Sequence, residues 1–396
     1  MISMLTCICS SVNEQNPTIV LSVGETVELC TTVKFQTQSK TIAVAEFGAD
    51  MIVQVHQTGI HMLKSGREVS HSLSTVTPGS LLGKNIKAAA LAASQMALIL
   101  ADNTLLVLEL NAKGDLVPGR VPEVASKVEC VAFSPPVGSA QRARFMAVGA
   151  SIEGAWTLFI FRVEGQGSGG GASGQLKIES RMLLNGKPLS LCLSPAKDGP
   201  WGTGEAIDDD PLVCYVGLEN EMLIRVHVDS NSGELSKDFR CRSLGARSRD
   251  DAAQPPKLIK VTAQGAPAVM ALCSRPWLCY SHQGSSRMTP IAYDSMESGA
   301  AFSSPQCPEG IVCVMGRTLR ILSVHHYGEV FQQQTVRLAY TPRKSALLRA
   351  AGAIVIIETD HNADKAKAKD FKMTDVPGKF FFFDSWWPCL RSFCVE

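Results

Sequence analysis

A chain of 396 residues carries 38 lysines and arginines against 37 aspartates and glutamates, a balance that withholds the long-range basic field by which a dedicated nucleic-acid binder captures its target. Its length suits one large domain or two ordinary ones, and with no uninterrupted apolar run of about 18 residues it is expected to contain no membrane-crossing helix and to have no membrane partner. The thirteen cysteines stand singly, mostly within apolar runs and with no Cys-x-x-Cys, which predicts free thiols in a reducing compartment and neither a metal nor any other cofactor.

In chain order, the apolar stretch Met1 to Cys9 lacks a basic leader and a clear cleavage site and reads as a strand. Short runs rich in Val, Ile, Leu and aromatics follow, bounded by Gly, Pro, Asn and Asp: Thr18 to Val23, Met96 to Leu100, Leu105 to Leu110, Ala155 to Val163, Leu212 to Val216 and Ile311 to Leu322. This is the pattern of strands separated by turns. Lys87 to Leu98 has the alanine content of a helix, but Gln95 to Leu100 running into Ala101-Asp102-Asn103 fits a hairpin strand better. The fold class is therefore all-β.

One regularity selects among all-β folds. An alternating strand ends in a polar turn whose glycine precedes a polar and then an aliphatic residue, as in Leu108-Glu109-Leu110 through Gly114-Asp115-Leu116. Val226-His227-Val228 through Gly233-Glu234-Leu235 nearly copies it. Phe161-Arg162-Val163 through Gly174-Gln175-Leu176 lengthens the turn, and Leu322-Ser323-Val324 through Gly328-Glu329-Val330 repeats it again. With weaker versions at Gly66 and Gly284, the spacings are 48, 60, 59, 51 and 44 residues, close to the period of a four-stranded propeller blade. A β-propeller with WD-like blades is the expected architecture, and a β-sandwich with chance glycines is its rival.

Sites are few. The glycine run Gly165 to Gly171 resembles a phosphate cradle, but Gln175-Leu176-Lys177-Ile178 opens a strand where a P-loop needs Gly-Lys-Ser/Thr and a helix, so it reads as a turn extension. Asp208-Asp209-Asp210 lacks the alternating ligands of a calcium loop. His325 and His326 would face opposite sides of a strand, and Thr359-Asp360-His361 has no accompanying nucleophile elbow. Arg240, Arg242, Arg247 and Arg249 form the densest basic group, diluted by Asp238, Asp250 and Asp251, and are the candidates for nucleic-acid or partner contact. No residue reads as catalytic. The expectation is a non-enzyme without a small-molecule substrate.

Particular strings go beyond pattern. Ile19-Val20-Leu21-Ser22-Val23-Gly24-Glu25-Thr26-Val27-Glu28, Gln141 to Gly149, Ser274-Arg275-Pro276-Trp277-Leu278-Cys279-Tyr280-Ser281, Gln306-Cys307-Pro308-Glu309-Gly310, Tyr340-Thr341-Pro342-Arg343-Lys344 and Glu358-Thr359-Asp360-His361-Asn362-Ala363 resemble the family of splicing factor 3B subunit 3. The resemblance implies three joined propellers acting as a nuclear scaffold in the particle that recognises the intron branch site. It implies that residues 1–335 are most of the second propeller, truncated at its N-terminus, that 336–363 are the first strands of the third, and that 364–396 are a charged and then aromatic tail without counterpart. The implied partners are the other subunits of the splicing factor 3b complex, its helical-repeat large subunit and its small subunits, with the grip weakened by truncation and any RNA contact indirect. Damaged-DNA-binding adaptors of cullin ubiquitin ligases and the large cleavage and polyadenylation subunit share the superfamily and supply the alternative functions.

Overall fold

The computed structural model describes the strands and most tight turns between residues 20 and 359. Residues 1–19 and 360–396 lie outside the described set, as do several loops, among them 73–83, 120–126, 164–175, 196–210, 245–253 and 325–340. The glycine-rich turn, the triple aspartate, the paired histidines, Asp360, His361 and the 364–396 tail therefore fall outside it.

Among the described residues every regular element is a strand. β1 (Val20–Ser22) and β2 (Val27–Leu29) form an antiparallel pair. The first four-stranded sheet is β3 (Thr41–Glu46), β4 (Met51–His56), β5 (Gly59–Lys64) and β6 (Arg67–Ser72). The second is β7 (Ile86–Ala92), β8 (Gln95–Leu100), β9 (Leu105–Leu110) and β10 (Leu116–Pro118). The third, β11 (Lys127–Phe133), β14 (Phe145–Ile152), β15 (Ala155–Val163) and β16 (Leu176–Leu183), carries the small pair β12 (Pro136–Val137) and β13 (Arg142–Ala143) in its first connection. The fourth is β17 (Pro188–Pro195), β18 (Leu212–Leu218), β19 (Met222–Val228) and β20 (Leu235–Ser243). The fifth is β21 (Lys257–Ala263), β22 (Ala266–Leu272), β23 (Trp277–His282) and β24 (Ser285–Pro290). The sixth has three described strands, β25 (Ser298–Phe302), β26 (Gly310–Met315) and β27 (Thr318–Ser323).

Each sheet is an antiparallel meander, and the first strands of successive sheets lie side by side, β3 by β7, β7 by β11, β11 by β17, β17 by β21 and β21 by β25. These are the six blades of a propeller. The run Ile311 to Leu322, which reads as one segment in sequence, is divided into β26 and β27 by a turn in which Gly316 adopts a φ of +56°. The alanine-rich stretch is the strands β7 and β8, paired antiparallel, and the polar turn Ala101-Asp102-Asn103 joins β8 to β9.

The repeating glycines mark one place in the blade. In chain order Gly66, Gly114, Gly174, Gly233 and Gly284 each fall between the third and fourth strands of their sheets. Gly114 and Gly233 have φ of +88° and +78°, a conformation that a β-carbon disfavours. In the second of these turns Asp229 accepts hydrogen bonds from the backbone N–H of Asn231 and Ser232 at 2.9 and 2.6 Å, and these bonds hold its carboxyl below the usual range.

The core lies between blades. A strand presents alternate residues to opposite faces, so in β8 Met96, Leu98 and Leu100 pack toward blade 1 while Ala97 and Ile99 pack toward blade 3. The same division sends Cys214 and Val216 of β18 toward blade 3, and Val213 and Tyr215 toward blade 5. That is why second strands such as β18 and β26 are apolar without interruption: both of their faces are covered. Residues 1–328 form one compact unit and 329–396 another. In the second, β28 (Thr341–Leu348) pairs antiparallel with β29 (Ala353–Thr359).

Candidate functional site

Two cationic features are built by this geometry. The first lies where the innermost strands begin. Lys40 precedes β3, Lys84 and Lys87 flank the start of β7, Lys127 opens β11, Lys187 precedes β17 and Lys257 opens β21. In blades 1 to 4 the register shifts by one residue near the start of the inner strand, at the second position for Ile42, Lys87 and Leu189 and at the third for Glu129. Such bulges re-aim the extra residue. Here two of them meet: Lys87 Nζ donates to Glu129 Oε2 at 2.6 Å, and Lys187 Nζ approaches Glu129 Oε1 at 3.3 Å. Burial opposes ionisation of Glu129, but the two ammonium groups prevail and leave its carboxyl below the usual range. On the other side Lys257 donates to Ser298 Oγ at 3.1 Å, and desolvation, then the charge of Lys40, lower its pKa.

The second feature contains half of the arginine group singled out above. Arg240 and Arg242 are exposed on β20, the outermost strand of blade 4. They share a face, two residues apart, because the strand alternates. Arg240 stands opposite Arg225 of β19, and Arg242 opposite Leu223. The Arg242 guanidinium lies 5.4 Å from the ring centre of Trp277 on β23 of blade 5, within cation–π range. Trp277 is half-buried and packs on the core between blades 4 and 5, as expected of an aromatic wedged between neighbours. Its indole N–H has no hydrogen-bond partner among the described residues. Arg247 and Arg249 lie in the loop after β20, outside the described residues.

Chemically, both features supply donors and positive charge. Among the described residues no group of three or more His, Cys, Asp or Glu gathers as a metal site. The described cysteines are free thiols, most of them buried, and desolvation pushes Cys192 and Cys273 up to about 11 and Cys279 to about 12, the opposite of an activated nucleophile. Lysine at the start of the inner strand in blades 1 to 5 is a signal that the sequence carries but that becomes visible only once the blades are aligned.

Comparison with known proteins bears on this architecture directly. A family model described as the RSE1/DDB1/CPSF1 second beta-propeller matches residues 6–324. Among curated relatives, splicing factor 3B subunit 3 of Danio rerio is 35% identical over 353 residues, covering 88% of this chain and 27% of the relative. Spliceosome-associated protein 130 A of Arabidopsis thaliana is 33% identical over 355 residues, covering 90% and 27%. Pre-mRNA-splicing factor rse1 of Emericella nidulans is 31% identical over 393 residues, covering 95% and 30%. The chain thus spans less than a third of the length of these relatives. With six antiparallel blades in a ring and a model match across most of its length, the chain belongs to the family of RSE1/DDB1/CPSF1 second β-propellers.

Proposed function

We propose that this chain is a non-catalytic interaction module of the pre-mRNA splicing machinery, acting in the nucleus as part of the splicing factor 3b assembly. The observation that carries the reading is the second-propeller match over residues 6–324 combined with relatives named for splicing. A ring whose cores lie between blades holds its surface loops on a rigid frame, which suits a scaffold. The same reading assigns 1–335 to the second propeller, 336–363 to the start of a third and 364–396 to a tail. The end of the family match at residue 324 and the change of compact unit after Gly328 support that division.

The test is capture from nuclear extract with the tagged 396-residue chain after mild cross-linking, read by mass spectrometry. Enrichment of the large helical-repeat subunit and small subunits of the splicing factor 3b complex is the expected result. Enrichment of a cullin or of cleavage and polyadenylation factors in their place, or of no nuclear assembly, would overturn it.

A further inference from the structure

We propose that the free edge of β20 is a docking strand for an extended peptide segment in which acidic and apolar residues alternate. The inference stands apart from the splicing assignment and rests on the edge itself. β20 runs nine residues, Leu235 to Ser243, and is the outer strand of its sheet, with only β19 hydrogen-bonded to it among the described residues. Its pairing with β19 is irregular between Leu235 and Phe239 and regular from Phe239 to Ser243, and an exposed edge of about five residues can template a further strand. From Lys237 onward every residue of it is exposed.

Its two faces differ. Phe239, 46% exposed, and Cys241 stand opposite Val226 and Ile224 and share their side of the sheet. Arg240 and Arg242 occupy the other side, with Arg242 held over Trp277. A strand added alongside would alternate in phase, placing one set of its side chains beside Phe239 and Cys241 and the other beside the two guanidiniums. Backbone pairing supplies affinity and the alternation supplies selectivity: apolar residues on the first side, carboxylates on the second.

The outer strands of blades 2 and 3 differ from this edge. The equivalent strand of blade 3, β16, is nearly as long, but two of its charges are engaged locally: Arg162 donates to Glu179 at 2.6 Å and Lys177 lies 3.6 Å from the same carboxylate. In blade 2 the fourth strand, β10, has three residues. On β20 Asp238 offsets Lys237, and no described carboxylate forms an ion pair with Arg240 or Arg242. Arg240 also stands opposite Arg225 across the strands, which adds to the positive charge that carboxylates from a partner would meet.

The experiment uses the full chain and a fluorescent peptide alternating glutamate with valine, followed by anisotropy. Parallel probes replace glutamate by lysine, methylate the backbone amides on one edge, or substitute a labelled uridine oligonucleotide. The glutamate peptide should bind, and binding should weaken by about tenfold or more with the lysine peptide, with the methylated peptide and with R240E/R242E protein. R240Q/R242Q and Phe239→Ser serve as milder variants, with thermal melts reporting that each folds. The proposal is overturned by no binding of the glutamate peptide, by equal binding of the lysine or methylated peptide, by full binding to the folded arginine variants, or by preference for the oligonucleotide, which would assign the arginines to nucleic acid.

Discussion

The second strand of one blade meets the first strand of the next closely, and Gly149 measures the approach. Gly149 lies on β14 opposite Cys130. A β-carbon placed there would sit 2.6 Å from Cys130 Sγ and 2.7 and 3.0 Å from Pro188 Cγ and Cβ at the start of blade 4. Carbon atoms rest in contact at about 3.5 to 4.0 Å, so the added methyl intrudes by roughly an ångström. Neither neighbour yields easily, since the proline ring is rigid and Cys130 is buried on its own sheet. Replacing a strand glycine by alanine gains about 0.5 to 1 kcal/mol from the unfolded chain, whereas overpacking costs about 1 to 3 kcal/mol or more. Gly149→Ala should therefore destabilise by about 2 kcal/mol, read as a lower urea midpoint at unchanged slope. Pro188→Ala in the same chain should restore part of the loss, because the two residues are in contact and their effects couple. A neutral or stabilising Gly149→Ala, or additive single effects, would refute the close approach. Gly217 supplies a second instance one blade on, its β-carbon position lying 2.5 Å from the carbonyl oxygen of Pro256.

Other outcomes follow from the same structure. Trp277→Ala should cost about 2 to 3 kcal/mol in denaturant melts, below the range for a fully buried tryptophan because the ring is half-buried, and a loss under 1 kcal/mol would contradict its packing between blades 4 and 5. Burial raises the thiols of Cys192, Cys273 and Cys313 to about 11 and Cys279 to about 12 from an ordinary 9.0. Their contribution to stability is whole below the unfolded value of 9.0 and is lost as pH rises through the folded values, so the urea midpoint should fall between about pH 9 and pH 11; a rise over that interval would contradict the assignment. In the native protein exposed Cys241 should be alkylated before any of these four, as peptide mapping would report. Replacing residues 164–175 by Asn-Gly should leave the fold intact, because Val163 and Leu176 already pair across the hairpin; global unfolding of that variant would show that the turn packs.

How much was legible in the sequence depended on the range of the interaction. The blade period followed from local chemistry: the turn between third and fourth strands needs a glycine, so Gly114 and Gly233 announce it, and uninterrupted apolar runs such as Leu212 to Val216 announce strands covered on both faces. Ile311 to Leu322 was harder, because apolar residues continue on either side of the Gly316 turn and hide the break.

The candidate sites divided on the same line. Arg240 and Arg242 were visible as a basic group because they are neighbours in sequence, and composition alone placed them at a surface. Sequence could not place Arg242 over Trp277 or Arg240 against Arg225, since those contacts join separate strands and, for Trp277, separate blades. Nor could it show that Lys87, Glu129 and Lys187 converge from three blades on one carboxylate. By itself the sequence determined an all-β repeating chain, because turn conformation and strand alternation are properties of a few adjacent residues. Only the tertiary structure decided which charges meet and which strand is outermost among the described residues, because ring formation brings together residues tens of positions apart.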